Sequence, residues 1–328
     1  MARASGTRWL TLAGTWPCRG IWPKKKNACA WQNMDSLTAA AQDVIARGMP
    51  LAKAARLNGV PRTTLRWRMA AMERELAGQQ AISKAVKTAL CLYDIHWPYQ
   101  DQQSLEMAVQ DAKQRYNVSH VIIGGDAADC ESISRFARGP DTVPLNEEFE
   151  LVVGGLGWLR EQFPKASFVY IQGNHEKRLQ AYLWNKATEI AALKGLTIPE
   201  QLELDRLQIR WVDNEKLKQE SGLFYSFGKL SILHGHELGI CPRVNPAHRY
   251  LERAKASLMV GHIHTTDEKY AKNIHNQTIA CHCVGTLANM CPAYRPQNDW
   301  VAGFAVVELD ADGYYRVDNR KIIDGRIV

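Results

Sequence analysis

Five short apolar runs in the later part of this 328-residue chain each end in side chains that hold metal well. LCLYD runs into Asp94-Ile95-His96, and VIIGGD ends on Asp126, with Asp129 three residues on. FVYIQGNHE closes on Asn174, His175 and Glu176, KLSILHGH on His234 and His236, and SLMVGHIH on His262 and His264. These junctions hold six of the ten histidines. Carboxylate, amide oxygen and neutral imidazole are hard-to-borderline donors, suited to Mn²⁺, Fe or Zn²⁺ rather than to thiolate chemistry. Loops at the carboxyl ends of adjacent strands converge on one crevice, so residues from five such junctions can meet there. Two metals sharing a carboxylate roughly 3.5–4 Å apart can hold a hydroxide nucleophile and neutralise charge on a phosphoryl group.

The order DxH, GGDxxD, GNHE, HGH, GHIH resembles the five blocks of the calcineurin-like metallophosphoesterase family over nearly all of residues 88–328. The resemblance implies two divalent ions, Mn²⁺ first and Fe, Zn²⁺ or Ni²⁺ as alternatives. One ion would take Asp94, His96, Asp126 and His264; the other would take Asp126, Asn174, His234 and His262, with Asp126 bridging. His175 would stabilise phosphate charge and protonate the leaving oxygen, oriented by Asp129. His236 either lines the substrate side or is structural. The serine/threonine phosphatase branch of the family continues GDxxD with a phosphate-clamping Arg-Gly, whereas Cys130-Glu131 stand here, which sets the chain apart from that branch unless a nearby cation replaces the clamp. Arg178 and Arg135 are candidates.

Alternating strand-like and helical patterns over 88–328 indicate an α/β (α+β) domain. The family likeness makes it two mixed β-sheets sandwiched together and flanked by helices. WVAGFAVVEL, from Trp300, supplies a closing strand. Cys281-His282-Cys283 looks metal-like, but alternation along a strand would turn His282 away from both cysteines. Trp97, Tyr182, Trp184 and Tyr250 are aromatic residues near the blocks able to stack on a base or to pack the core.

Ahead of this domain, residues 36–76 read as a small all-α helix-turn-helix. LTAAAQDVIARG ends at Gly48, PLAKAARLNG runs from Pro50 to Gly59, and a third helix opens at Pro61, a first-turn residue with no N–H to leave unpaired. The pattern AAxxxGVPxxTLxxR is similar to resolvase-type and pipsqueak-type DNA-binding domains. Arg62, Arg66 and Arg68 would reach phosphates or guanine edges. Residues 77–87 form a connector. Residues 1–35, with four tryptophans and no period, read as a disordered leader, translated from upstream of a start at Met34.

Charge divides with these segments. Residues 1–87 hold 15 Lys/Arg against 4 Asp/Glu, a net +11, whereas 88–328 hold 26 against 30, a net −4. A basic segment attached to a mildly acidic domain suggests a polyanion partner for the first alone. Eight cysteines without a CxxC pair fit a reducing cytoplasm, and no apolar run reaches the roughly 18 residues of a membrane span. Three functions remain open. The first is a metal-dependent phosphoesterase acting on or targeted to nucleic acid, as a DNA phosphodiesterase, nuclease or end-processing enzyme. The second is a phosphomonoesterase, nucleotide or protein phosphatase whose N-terminal helices serve regulation or assembly. The third is a non-catalytic DNA-binding regulator. Oligomeric state is left open by the sequence.

Overall fold

The chain divides into two compact units, Met1–Gln79 and Gln80–Val328. The structure, a computed structural model, describes residues 36–66 except 38, 42, 45 and 46, then Met69, and 87–328 except 137–138 and 293–294. The expected leader, the connector up to residue 86 and Arg68 lie outside the described residues.

In the first unit, helical residues at 36–37, 39–41, 43–44 and 47 precede the helix Leu51–Leu57, and residues 62–66 are helical again. Ala40, Ala41, Ala54, Ala55, Val60 and Leu65 bury themselves together. Alanine at four of these six positions lets the helices approach closely. The turn after the second helix needs Gly59, whose φ of +63° a side chain would strain. Asn58 steadies it by donating from Nδ2 to Asp43 Oδ2 at 3.3 Å and to Ala54 O at 3.0 Å. Arg62 and Arg66 stand exposed after that turn.

The second unit is built on two mixed sheets. In the larger, β1 (Lys87–Leu92), β2 (His120–Ile123), β3 (Ser167–Ile171) and β4 (Ile209–Val212) run parallel. Beyond β1 lie the antiparallel strands β10 (Ala302–Leu309), β11 (Tyr315–Ile323) and β12 (Arg326–Ile327), in the order β12-β11-β10-β1-β2-β3-β4. The smaller sheet runs β5-β6-β7-β9-β8: Ser226–Phe227, Leu230–Ile232, Leu258–Val260, Thr278–Cys283 and Asp267–Lys272. Only β6-β7 and β7-β9 are parallel there.

Strands buried on both faces carry continuous apolar runs, which is why ALCL in β1 and VII in β2 show no alternation. Between the sheets, Ala89, Cys91, Tyr93, Ile122 and Val169 of the larger pack with Phe227, Leu230, Ile232 and Met259 of the smaller. On the outer face, Leu90, Leu92, Val121 and Ile123 meet Leu105 and Val109 of the helix Gln102–Arg115, and Val152 and Leu156 of the helix Leu145–Gln162. The smaller sheet's outer face is covered by Ala247, Tyr250 and Leu251, one side of the helix Pro246–Ala254. Asp101 caps Gln102–Arg115 by accepting from Ser104 N at 3.2 Å, and Lys113 and Arg115 complement its C-terminal dipole. Helices thus flank a pair of sheets. Among the described residues, no helix is long and apolar enough to cross a membrane.

Candidate metal centre

The parallel strands of both sheets deliver the five junctions to one place. Asp94 and His234 come two residues after β1 and β6, Asp126 and Asn174 three after β2 and β3, and His262 two after β7. The backbone bends sharply at each side that needs two ligands. Asp94 (φ 51°) and His96 (φ 54°) are both left-handed, as are His262 (φ 67°) and His264 (φ 56°), and Asp126 adds a fifth at 49°. Asp and His are among the few non-glycine types enriched in that region. Each such residue costs on the order of 1 kcal/mol or more unless its surroundings fix it. A left-handed residue at i and again at i+2 turns both side chains of DxH, and of HxH, into the same crevice. At Gly125 (φ +101°) a Cβ would lie 2.5 Å from His234 Nδ1, so glycine is required for both conformation and space.

Two buried carboxylate oxygens organise the site. Asp126 Oδ2 lies 3.1 Å from His234 Nε2, 3.7 Å from His175 Nε2 and 4.0 Å from His96 Nε2. Asp94 Oδ1 has no hydrogen-bond partner among the described residues, although it is wholly buried. Around it stand His264 Nε2 at 3.3 Å and the Nε2 atoms of His96 and His234 at 3.9 Å. Three sets of side chains bring their ligand atoms within 4.8 Å of one another: Asp94-His96-His264, His96-Asp126-His175 and Asp126-His234-His262. Asn174 Oδ1 joins the third set at 3.1 Å from His234 Nε2.

A divalent ion fits these donors. Bonds of roughly 2.0–2.2 Å to an ion place its ligands about 3.0–3.5 Å from one another, the range of several pairs above. The orphaned Asp94 oxygen, surrounded by imidazole nitrogens, is the kind of atom that a cation satisfies and a hydrogen bond here does not. No cysteine belongs to these sets. Oxygen and imidazole donors suit Mn²⁺, Fe, Zn²⁺ or Ni²⁺ alike.

The protonation balance is consistent with a site built for positive charge. Burial pushes the Asp126 carboxyl up, but His175 and His234 outweigh it and hold it well below the carboxylate range. Asp94 is likewise lowered, its burial offset by His264 and His234. Burial pushes His234 down, but Asp126 and Asp94 raise it to about 10. Burial and the neighbouring His234 depress His236 to about 3 and His262 to about 4.

Supporting groups fix the ligands. Asp129 Oδ1 lies 2.7 Å from His96 Nδ1 and 3.1 Å from His175 Nδ1, so one carboxylate orients two rings. His175 Nδ1 also lies 2.7 Å from Asp129 O, which makes it the protonated nitrogen and leaves Nε2 free to accept. Arg178 donates from Nη1 to Asp129 O at 2.8 Å and reaches His175 Nε2 with Nη2 at 2.9 Å. The structure thus places Arg178 at the centre. Arg135 is exposed on a neighbouring loop with its guanidinium 5.1 Å from the Phe136 ring. The imidazole of His236 sits 5.4 Å from that of His234, with Nε2 3.7 Å from Glu215. Trp97 and Tyr250 are buried in packing, whereas Tyr182 and Trp184 are exposed. His282 turns from its two cysteines toward Glu268, 3.2 Å away, as strand alternation requires.

Three positioning residues have no assigned role in the sequence reading, although Glu176 is named there at the end of its run. Glu176 is fully buried and accepts from Asp126 N, Ala128 N, Gly173 N and Tyr170 OH. Glu237 accepts from His234 N at 3.0 Å and Gly235 N at 2.6 Å. Thr286 donates to Asp94 O at 2.8 Å. The two glutamates follow GNH and HGH directly, and that adjacency is the signal by which they could have been found.

With the geometry in place, comparison with known proteins locates the first unit. Residues 34–71 match the helix-turn-helix, Psq domain family. The matched span takes in Arg62, Arg66 and Arg68 and the Gly59 turn. The comparison with curated proteins gives no match.

Proposed function

We propose that the second unit is a binuclear metal-dependent phosphoesterase of the metallophosphoesterase fold, and that the N-terminal helix-turn-helix brings it to DNA. The observation that carries this reading is the pair of buried carboxylates. Asp126 Oδ2 faces three imidazole nitrogens within 4.0 Å, and the Asp94 oxygen beside it is left without a hydrogen bond. Asp94, His96, Asp126 and His264 would hold one ion, and Asp126, Asn174, His234 and His262 the other. Bound there, the ions would supply Lewis-acid charge against a phosphoryl group.

The chain's own residues supply the rest. Arg178 is fixed through Asp129 O with one-fifth of its side chain exposed, so its remaining N–H groups can take phosphate oxygens. His175 donates through Nδ1 to Asp129, and its Nε2 faces the space shared with Arg178 and Asp126. For Nε2 to serve as the acid, Arg178 Nη2 must turn from it to a phosphate oxygen and the ring take up a proton from solvent, which Asp126 and Asp129 favour; that proton then passes to the leaving oxygen. The Asp129 carboxylate stabilises the ring while it is charged. Exposed Arg62 and Arg66 would contact the nucleic acid, aided by the +11 of residues 1–87. A second reading rests on the net −4 of residues 88–328, since an acidic domain suits a small phosphomonoester or nucleotide better than a long polyanion.

The test assays the full chain with Mn²⁺ on bis-p-nitrophenyl phosphate, p-nitrophenyl phosphate, single-stranded DNA and duplex DNA. His175→Ala should lower turnover by about 10²–10⁴-fold, the usual contribution of a positioned acid. Arg62→Ala/Arg66→Ala should slow DNA cleavage while p-nitrophenyl ester hydrolysis keeps its rate. Preference for the monoester, with DNA untouched, would select the second reading. No metal-dependent hydrolysis of any ester would leave only a DNA-binding regulator.

A further inference from the structure

Beside the metal centre, on the far side of the 172–176 loop, lies an open cleft of about 570 Å³. One wall is the helix Lys177–Lys186 and the other the helix Asn214–Ser221; β4, the edge strand of the larger sheet, contributes to its lining. At the end nearest the ligands the walls are tied by the Lys177–Glu215 ion pair, and Glu215 in turn approaches His236. The volume falls within the roughly 300–1,000 Å³ of ordinary ligand sites.

Its lining is unusual in composition. Trp184 is 61% exposed, and Trp211, resting edge-on against Tyr170, presents a second indole. Gln172 is 91% buried at the cleft wall, and its side-chain amide, unpaired among the described residues, stays accessible to solvent. An amide open to a cavity offers a ligand both a donor and an acceptor. Arg210 and Lys216 are exposed at the same cleft, whose lining also holds Glu176, Asp213 and Glu220, with Lys216 3.9 Å from Glu220. Flat rings and a donor-acceptor edge match a nucleobase, and Arg210 and Lys216 are the cations at hand for its phosphate.

We propose that this cleft seats a base of the nucleic-acid strand whose phosphate lies at the metal centre. The inference rests on the phosphoesterase reading for the identity of the strand, but base recognition here is measurable without catalysis. Trp184 stacks on the base face, Gln172 pairs with its edge, and Lys216 and Arg210 face the backbone.

Calorimetry on the full, Mn²⁺-loaded chain tests it, using the 5′-phosphonate analogues of AMP and of ribose 5-phosphate, whose P–C bonds resist hydrolysis. The AMP analogue should bind at least tenfold more tightly. Trp184→Ala, at an exposed position, should weaken it by about tenfold, within the range measured for base–aromatic stacking. Lys216→Ala should weaken both analogues, and Tyr270→Ala, an exposed ring on the other sheet, neither. A phosphorothioate-linked tetradeoxyadenylate should bind at least as tightly as the AMP analogue. Equal affinity for the two analogues, wild-type affinity in Trp184→Ala, or a weaker tetramer would overturn the proposal. Hydrolysis of bis-p-nitrophenyl phosphate is read separately. If it is absent while base-dependent binding persists, the phosphoesterase reading falls and the cleft assignment stands.

Discussion

Replacing Glu176 should do more damage than replacing any single ligand, although Glu176 touches no metal site directly. Its Oε2 accepts from Gly173 N at 2.8 Å and Asp126 N at 3.1 Å, and its Oε1 from Tyr170 OH at 2.7 Å and Ala128 N at 3.1 Å. It therefore ties the loop that carries Asp126 to the loop that carries Asn174 and His175. Glu176→Ala strands three backbone N–H groups and a phenol at a buried position behind the cleft wall. A buried donor left unpaired costs about 1–3 kcal/mol, so the loss should exceed roughly 4 kcal/mol even with partial relaxation. Glu176→Gln is a sharper probe. With its oxygen toward Asp126 N and Gly173 N, its amide can donate to the Tyr170 oxygen, leaving Ala128 N and the Tyr170 hydroxyl proton unpaired, so about half of the Ala variant's loss should go. Metal affinity should fall roughly 10–100-fold in the Gln variant, as for other groups that orient ligands from behind. Urea unfolding of the metal-free protein and calorimetric Mn²⁺ titration read the two effects. Equal losses in the Ala and Gln variants, or a loss below about 1 kcal/mol in Glu176→Ala, would refute the bracing argument.

Three further outcomes follow from the same geometry. Adding Mn²⁺ at a hundred times its Kd should stabilise the wild type by about 2.7 kcal/mol for each of the two ions, a melting shift of about 5–10 °C apiece, and Asp94→Asn should abolish about half of the total in a thermal melt. Glu148 is buried, and burial raises its carboxyl to about 7, even though it accepts from Cys130 N at 2.5 Å. A carboxyl raised above its unfolded value favours folding below that value and loses the benefit as pH climbs through 7. Glu148→Gln should therefore gain on the wild type between pH 5 and 8 in urea unfolding, by up to about 3 kcal/mol. Arg66→Ala should weaken DNA binding and flatten its dependence on log salt by about one unit, read by fluorescence anisotropy at several salt concentrations.

Much of the site was legible because its ligand types are rare and sit where periodicity breaks. Asp94, Asp126 and His234 each follow an apolar strand run within three residues, so strand ends could be marked from the chain alone. The helix-turn-helix was legible through Gly59 and the alanines, since only small residues and a left-handed turn satisfy that packing. What escaped were groups whose role depends on long-range approach. Thr286 reaches Asp94 across 192 positions, and no local pattern distinguishes it from any other buried threonine. Asp129 was assigned to His175 by motif, but its bond to His96 exists only because β1 and β2 are parallel neighbours. The cleft escaped for the same reason. Trp184 and Trp211 lie on a helix and a strand that the sequence separates by 27 positions and the sheet edge joins.

The left-handed candidate ligands explain why so much rigid structure surrounds the crevice. Asp94, His96, Asp126, His262 and His264 all adopt φ between 49° and 67°, so the crevice concentrates several kcal/mol of backbone cost. It also buries two carboxylates side by side, and in the metal-free chain His234 must hold its proton to balance them. Neither feature survives unless the surrounding hydrogen bonds leave the loops no alternative. Those bonds are specific: His96 N to Asp126 O at 3.0 Å, Leu287 N and Thr286 Oγ1 to Asp94 O, His262 N to Asp94 Oδ2 at 2.8 Å and His175 N to Asp126 Oδ1 at 2.9 Å. Asp94 thus spends one oxygen on the loop from the other sheet and keeps the second without a hydrogen bond among the described residues, whereas Asp126 spends one on the GNHE loop and turns the other to His234 Nε2 at 3.1 Å. Each carboxylate acts as a clamp between loops and as a donor to the centre. A substitution at either position should therefore lower metal affinity and loop order together, and it follows that the crevice is preorganised by the same carboxylates that would bind the ions, one oxygen for each task.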